Sequence, residues 1–240
     1  MSSAGFGIIA AAIVLASCMQ ASIGFGMGML AAPIVAIVDP GLIPGTLIML
    51  ATMVTLMVVV RERQDIDLAG TGWALAGRVP GTVAGALLLV VMPPQVLAYV
   101  LAAVVLGGVV LTSFGWIPVP HRRNLVLAGA TSGLLGTATS IGGPPMALVW
   151  QNNTGARLRG TMSGFFLVGS VLSIVLLALT GSIDRHTIAV FAMLVPACVL
   201  GYGLSRWLNR HLDRQRQRWA AIAISTIGAV VLIVRQVMGG

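Results

Sequence analysis

Long apolar runs separated by short polar gaps fill the chain, at roughly 5–38, 43–60, 70–91 and 95–114, and again at 124–153, 161–180, 187–205 and 218–236. A bilayer core of about 30 Å takes about 20 apolar residues in helix, so six of these runs read as single crossings. The first run of each set is too long for one helix and is broken near its middle. One break holds Gln20, Ser22, Gly24-Phe25-Gly26, Gly28 and Pro33; the other lies in Thr131 to Asn153, around Gly142-Gly143-Pro144-Pro145. Each is predicted to be a helical hairpin, crossing fully or re-entrant. Backbone amides at membrane depth must find partners in protein or in a water-filled cavity, so such breaks line a pathway or a binding site.

The second break has the stronger chemistry. Proline suits a first helical turn, where its missing N–H would be an orphan anyway, so Pro144 and Pro145 open the second arm. The amides of Gly142 and Gly143 and the positive end of that half-helix then favour an anion. Thr137, Thr139 and Ser140 add hydroxyls, and Gln20, Ser22, Gly24 and Gly26 are the candidates in the weaker first break. Each has a plainer reading: glycines let membrane helices approach closely, and threonine or serine can bond a preceding carbonyl of its own helix. Arg78 lies inside the third run. It either faces a cavity or a partner, or it snorkels to the headgroups, being only about 12 Å past Gly70.

The two halves match at near-constant spacing. Pro33 and Pro145 are separated by 145 − 33 = 112 residues and Gly24 and Gly136 by 136 − 24 = 112. Pro80 with Pro196 and Gly85 with Gly201 give 116, and Gly108 with Gly228 gives 120. The expected organisation is an internal repeat, residues 1–120 and 121–240, with the site where the halves meet.

Composition places this pattern in a membrane. Hydrophobic residues make up 58% of the chain and charged ones 8%, and the mean hydropathy is +1.00. All 14 basic residues are arginines, against six acids, a formal charge of +8. They sit in gaps between apolar runs rather than on a soluble face, which excludes a nucleic-acid binder. If each hairpin returns to its starting side, one face receives Arg61, Arg63, Arg122, Arg123, Arg157, Arg159, Arg206, Arg210, Arg214, Arg216 and Arg218. The other receives Arg185 and Arg235. The positive-inside rule then makes the arginine-rich face cytoplasmic and both termini extracytoplasmic. Trp73, Trp116, Trp150, Trp207 and Trp219 fall near the same ends, as an interfacial belt would. Each half crosses an odd number of times, so the halves enter from opposite sides. The expectation is an all-α polytopic membrane protein of 8–10 segments: two inverted repeats, each a broken or re-entrant hairpin plus three transmembrane helices. Cys18 and Cys198 lie in apolar runs without CxxC or Cys/His spacing, so no metal, disulfide framework or cofactor is expected.

The stretches GFGMGMLAAP (Gly24 to Pro33), GLLGTATSIGGPP (Gly133 to Pro145), RLRGTMSGFF (Arg157 to Phe166) and RVPGTVAGALL (Arg78 to Leu88) resemble the TauE/SafE sulfite exporter family, also called the toluene-sulfonate uptake permease family. The resemblance runs nearly the whole chain and departs from the family pattern at Met27 and Met29. It implies a bacterial plasma-membrane permease with two homologous halves, for sulfite, sulfonates or related small anions, in a family linked to both export and uptake.

No carboxylate or histidine lies mid-run to relay protons, and no nucleophile–base arrangement lies at depth, so an enzyme is not expected. An anion leaving a negative-inside cell gains about 2.3 kcal/mol per charge per 100 mV, so export needs no coupled ion. Outward movement by alternating access is the expectation, with an anion channel or an uptake permease for sulfonates or carboxylates as alternatives. The arginines at 206, 210, 214 and 218 recur every fourth residue and suit anionic lipid headgroups. Homo-oligomerisation is left open.

Overall fold

The first long run folds as two helices, α1 (Ser3–Ile23) and α2 (Met27–Val38), joined at Gly24–Gly26. The computed structural model describes residues 3–93, 96, 99, 100, 103, 107, 110 and 120–211. A 3-10 turn leads into α3 (Gly45–Glu62), a second one into α4 (Leu68–Val91), and after Pro120 come α5 (Arg122–Thr139), α6 (Gly143–Val149), α7 (Gly155–Leu179) and α8 (Arg185–His211). Apart from the single positions named, the predicted run at 95–114 lies outside the described residues. So do the run at 218–236, Trp116, Trp219, Arg214, Arg216, Arg218 and Arg235. Among the described residues there is no strand, and five helices are long and apolar enough to cross a membrane, with Met27–Val38 as a shorter apolar helix. This is an all-α polytopic membrane protein.

Local chemistry sets the helix ends. Gly24 takes φ +89°, the left-handed backbone in which helices commonly terminate, and its amide reaches back to the Gln20 carbonyl (2.8 Å). Ser140 ends α5 in the same region, φ 64°, its amide on the Gly136 carbonyl (2.9 Å). The Asp67 carboxylate caps α4 by accepting from Gly70 N (3.0 Å). Ahead of α8, Asp184 accepts from the amide and the hydroxyl of Thr187 (2.7 Å each), bonds that hold its carboxyl below the usual range.

The helix ends at the two breaks share a spacing that differs from the one read off the prolines. The arms stop at Ile23 and Thr139, 139 − 23 = 116, and resume at Met27 and Gly143, 143 − 27 = 116. The expected offset of 112 at the breaks is therefore replaced by 116, the value carried by Pro80/Pro196 and Gly85/Gly201. Pro33 and Pro145 are not counterparts, because Pro33 lies in the interior of α2 and Pro145 in the first turn of α6. At that spacing Gly24 falls opposite Ser140, and both take positive φ, as Gly26 also does.

In a bilayer, close backbone approach replaces the hydrophobic effect as the packing force. A methyl added at Gly77, Gly81 or Gly85 of α4 would run into the carbonyls of Val126, Ala130 and Leu134 on α5. These contacts rise together along both helices, so α4 and α5 are parallel, and α4 ends at the opposite end of the pair from where α5 begins. The same kind of contact joins α8 to α1, where Gly201 lies on the Val14 carbonyl. Packing is exchanged in kind: α4 lies on α5 and on α7, α8 on α1 and on α3, and α3 on α7.

The segment ends sort into two faces. At one, Arg159 Nη2 and Nε donate to Glu62 Oε1 (2.9 and 3.2 Å), Arg61 Nε donates to the same oxygen (2.9 Å), Arg122 stacks on Trp73 and Arg61 on Tyr202. At the other, Thr46 reaches the Thr187 carbonyl (3.4 Å) and His186 approaches Asp39 (3.7 Å). Among the described residues, Arg61, Arg122 and Arg159 gather at one end, while Arg185 opens α8 at the other. Trp73 and Trp207 are exposed at the arginine-rich end, but Trp150 is not an interfacial residue. It is buried and stands edge-on to Phe165, with centroids 5.8 Å apart.

The shared Glu62 carboxylate joins α3 to α7 while only partly exposed, between the surface and buried limits for ion pairs. Glu62→Ala should cost about 1–2 kcal/mol in detergent unfolding. The reversed pair Glu62→Arg with Arg159→Glu should recover less than half of that, because Arg61 also needs the carboxylate; full recovery would mean that Arg61 contributes nothing.

Candidate functional site

The two breaks meet. A methyl at Gly28 would collide with the Ser140 carbonyl, and one at Gly143 would lie 2.8 Å from the Phe25 ring. Glycine is required at both places by close approach. Phe25 packs against both buried apolar clusters, one built on α1, α2, α3 and α8 and the other on α4 to α7.

Each break handles its polar groups differently. Gln20 Oε1 accepts from Met27 N (3.0 Å), and Gln20 Nε2 donates to the Ala51 carbonyl (3.3 Å). The Gln20 side chain therefore caps α2 and ties it to α3. The amides of Gly28 and Met29, in the first turn of α2, have no acceptor within their helix. In the second break, Pro144 and Pro145 occupy the first turn of a seven-residue helix and bring no N–H. The free donors at that end are thus the amides of Gly142 and Gly143, as expected.

Arg78 supplies what those prolines lack. It is 3% exposed, so the snorkelling alternative is excluded. Its Nη1 donates to Ser132 Oγ (3.1 Å), and Ser132 Oγ donates onward to the Gly142 carbonyl (2.6 Å). The guanidinium carbon lies 4.7 Å from the Phe165 centroid and 5.3 Å from that of Phe166. Arg78 Nε is buried with no partner, and among the described residues no carboxylate contacts the group. A guanidinium has five N–H donors and stays charged, so most of this group's hydrogen-bonding capacity is unspent at a depth where a lone charge is expensive.

Around it lies a cavity of about 50 Å³. A water needs roughly 10–15 Å³ by the same measure, so this is room for a few waters or one small ion. Of the expected site residues, Gln20, Gly26, Arg78, Ser140, Gly142 and Gly143 line it together. Ser22, Gly24, Thr137, Thr139 and Pro144 do not. Ser22 is buried with its hydroxyl unpartnered, and Gly24 packs on Met162. Thr139 Oγ donates to the Leu135 carbonyl (2.7 Å) of its own helix, and Thr137 pairs with Ser173 (2.8 Å), one step behind the wall. Ser140 Oγ donates to the Pro44 carbonyl (3.1 Å). Sequence reasoning missed Ser170, Ser173 and Phe166. The signal was available: serines three apart on one face of the apolar second half of α7. Met27 and Met29 also line the cavity and keep its α2 side apolar.

A separate cavity of about 400 Å³ opens at the arginine-rich end, past the far end of α6, among Arg122, Arg157, Trp73, Trp150, Asn152 and Asp67. Trp150 and Phe165 stand between it and Arg78.

Compared with known proteins, residues 9–232 match the family model described as sulfite exporter TauE/SafE. No curated protein and no solved structure matches the chain.

Proposed function

Because the chain belongs to the sulfite exporter TauE/SafE family, we propose that it is a secondary transporter moving a small oxyanion, such as sulfite or an organosulfonate, out across the bacterial plasma membrane by alternating access. One observation carries this reading: a buried guanidinium with no counter-ion among the described residues faces a small cavity where two helix breaks meet. A membrane protein retains an unpaired charge at depth when something of opposite sign comes to it. The first-turn amides of α2 are placed to complete the shell of a small oxyanion, whereas Ser170 and Ser173 donate to the Leu167 and Gly169 carbonyls (3.1 and 2.9 Å) and would join that shell only by turning their hydroxyls. The shared offset of 116 and the exchanged packing of α4 on α5 and α8 on α1 support two inverted repeats, 1–120 and 121–240, with the substrate between them.

The gathering of arginines at one face supports a cytoplasmic placement of that face and extracytoplasmic termini. Exposed Trp73, Trp207 and Arg206 there suit anionic lipid as a partner, and assembly as a homo-oligomer is compatible with the apolar outer faces of α4 and α8. A carrier is preferred over a channel because the cavity beside Arg78 holds about 50 Å³, room for one small ion rather than a file of them.

In proteoliposomes, labelled sulfite should move by saturable flux toward the positive side of an imposed potential. Saturation by sulfite and competition by short sulfonates are expected; single-channel currents, or accumulation driven inward by a proton gradient, would overturn the exporter reading.

A further inference from the structure

We infer that Ser132 and Gly169 are positioning residues that hold the Arg78 guanidinium at the rim of the cavity, so that anion affinity depends on a hydroxyl and a missing methyl that touch no substrate. The inference rests on the transport reading above and names how its charged group is set. Arg78 leaves α4 toward α7, and its Nε and Cδ occupy the place where a side chain at Gly169 would stand. Gly169 is therefore a recess rather than a helix-packing glycine like Gly81, whose contacts are backbone to backbone. Across the group, Ser132 spends its one proton on the Gly142 carbonyl (2.6 Å), which leaves its lone pairs to accept from Nη1 (3.1 Å). The bond order is thus fixed: Arg78 to Ser132 to the residue just before α6. The rings of Phe165 and Phe166 flank the group without competing for its N–H donors. The arrangement keeps Nη2 on the Gly136 side, and Gly136 in turn lies against the Gly142 backbone. In the other half, the positions 116 away from Arg78, Ser132 and Gly169 are Leu194, Ala16 and Met53, so the device belongs to one side of the site only.

Ser132→Ala, Ser132→Thr and Gly169→Ala are compared in proteoliposomes with labelled sulfite, beside Arg78→Gln. Loss of one hydrogen bond to a charged group should raise KM roughly tenfold in Ser132→Ala with little change in maximal rate. Ser132→Thr should restore wild-type KM, and Gly169→Ala should raise KM while leaving Ser132 intact. A second readout needs no substrate: modification of Arg78 by phenylglyoxal, followed by mass spectrometry of the intact protein and its peptides. It should be several-fold faster in Ser132→Ala and Gly169→Ala than in the wild type, and unchanged in Ser132→Thr. Wild-type KM and wild-type labelling in both Ser132→Ala and Gly169→Ala, where Arg78→Gln has lost saturable flux, would overturn the positioning role and leave the transport reading standing. Saturable wild-type flux in Arg78→Gln would remove that reading, and the labelling rates would then decide the positioning role alone.

Discussion

Arg78→Met should abolish saturable anion flux and at the same time raise the thermal stability of the protein. The two effects have one cause. The guanidinium is 3% exposed and, among the described residues, donates to Ser132 and has no carboxylate partner; a buried charge in that state lowers stability, and an unbranched apolar chain of similar length removes the penalty. Replacing buried ionic groups by apolar ones of similar volume commonly stabilises by about 1–4 kcal/mol, so the melting temperature in detergent should rise by several degrees. Flux should fall at least about 100-fold, the scale of losing a hydrogen-bonded charge contact with the solute. Sulfite should raise the melting temperature of the wild type and leave that of Arg78→Met unchanged, because a ligand stabilises only the state that binds it. A variant that is less stable but still transports would mean that Arg78 is a structural strut.

Gly81→Ala should have the largest effect on folding. The added methyl would overlap the Ala130 carbonyl and Cα, and the helices cannot separate at one turn without disturbing the contacts at Gly77, Gly85, Gly129 and Gly133. Overpacking at such a contact costs typically 1–3 kcal/mol, and the rigid backbone on the far side puts this case at about 3. Gly72→Ala on the same helix is the matched control. Gly72 is exposed, nothing lies within reach of the new methyl, and alanine is a better helix former by about 1 kcal/mol. Opposite signs for the two substitutions, read by thermal unfolding in detergent, are the expected result. Equal and small effects would mean that α4 and α5 are not in backbone contact.

Much of this was legible in the chain. Gly24 to Gly28 and Gly142 to Pro145 interrupt sequence otherwise fit for lipid, and few residue types can end a helix at that depth. The arginines sort by topology because position relative to the bilayer dominates where they go. The distinction between line and cavity was harder. Thr139 and Ser140 are adjacent, yet one hydroxyl turns back to its own helix and the other crosses to Pro44, since the left-handed turn at Ser140 redirects the chain. Periodicity does not encode that. Gly169 is one of 30 glycines, and nothing in its neighbourhood says that a guanidinium from another helix fills its place. Trp150 follows an apolar stretch as an interfacial tryptophan would, but the α6–α7 loop folds it inward onto Phe165. The offset of 112 came from matching Pro33 with Pro145 and Gly24 with Gly136 by residue type; the helix ends at the breaks, which depend on backbone geometry, are 116 apart.

A small anion is expected to bind between the two breaks, held by Arg78. Crystals grown with selenite, an anomalous scatterer with the shape and charge of sulfite, would show where it sits. An anomalous peak within hydrogen-bond reach of Arg78, facing Ser170 and Ser173, is the predicted result, and the peak should vanish in Arg78→Met. Selenite seen only among Arg122, Arg157 and the other arginines of the surface, with ordered water filling the central cavity, would contradict it.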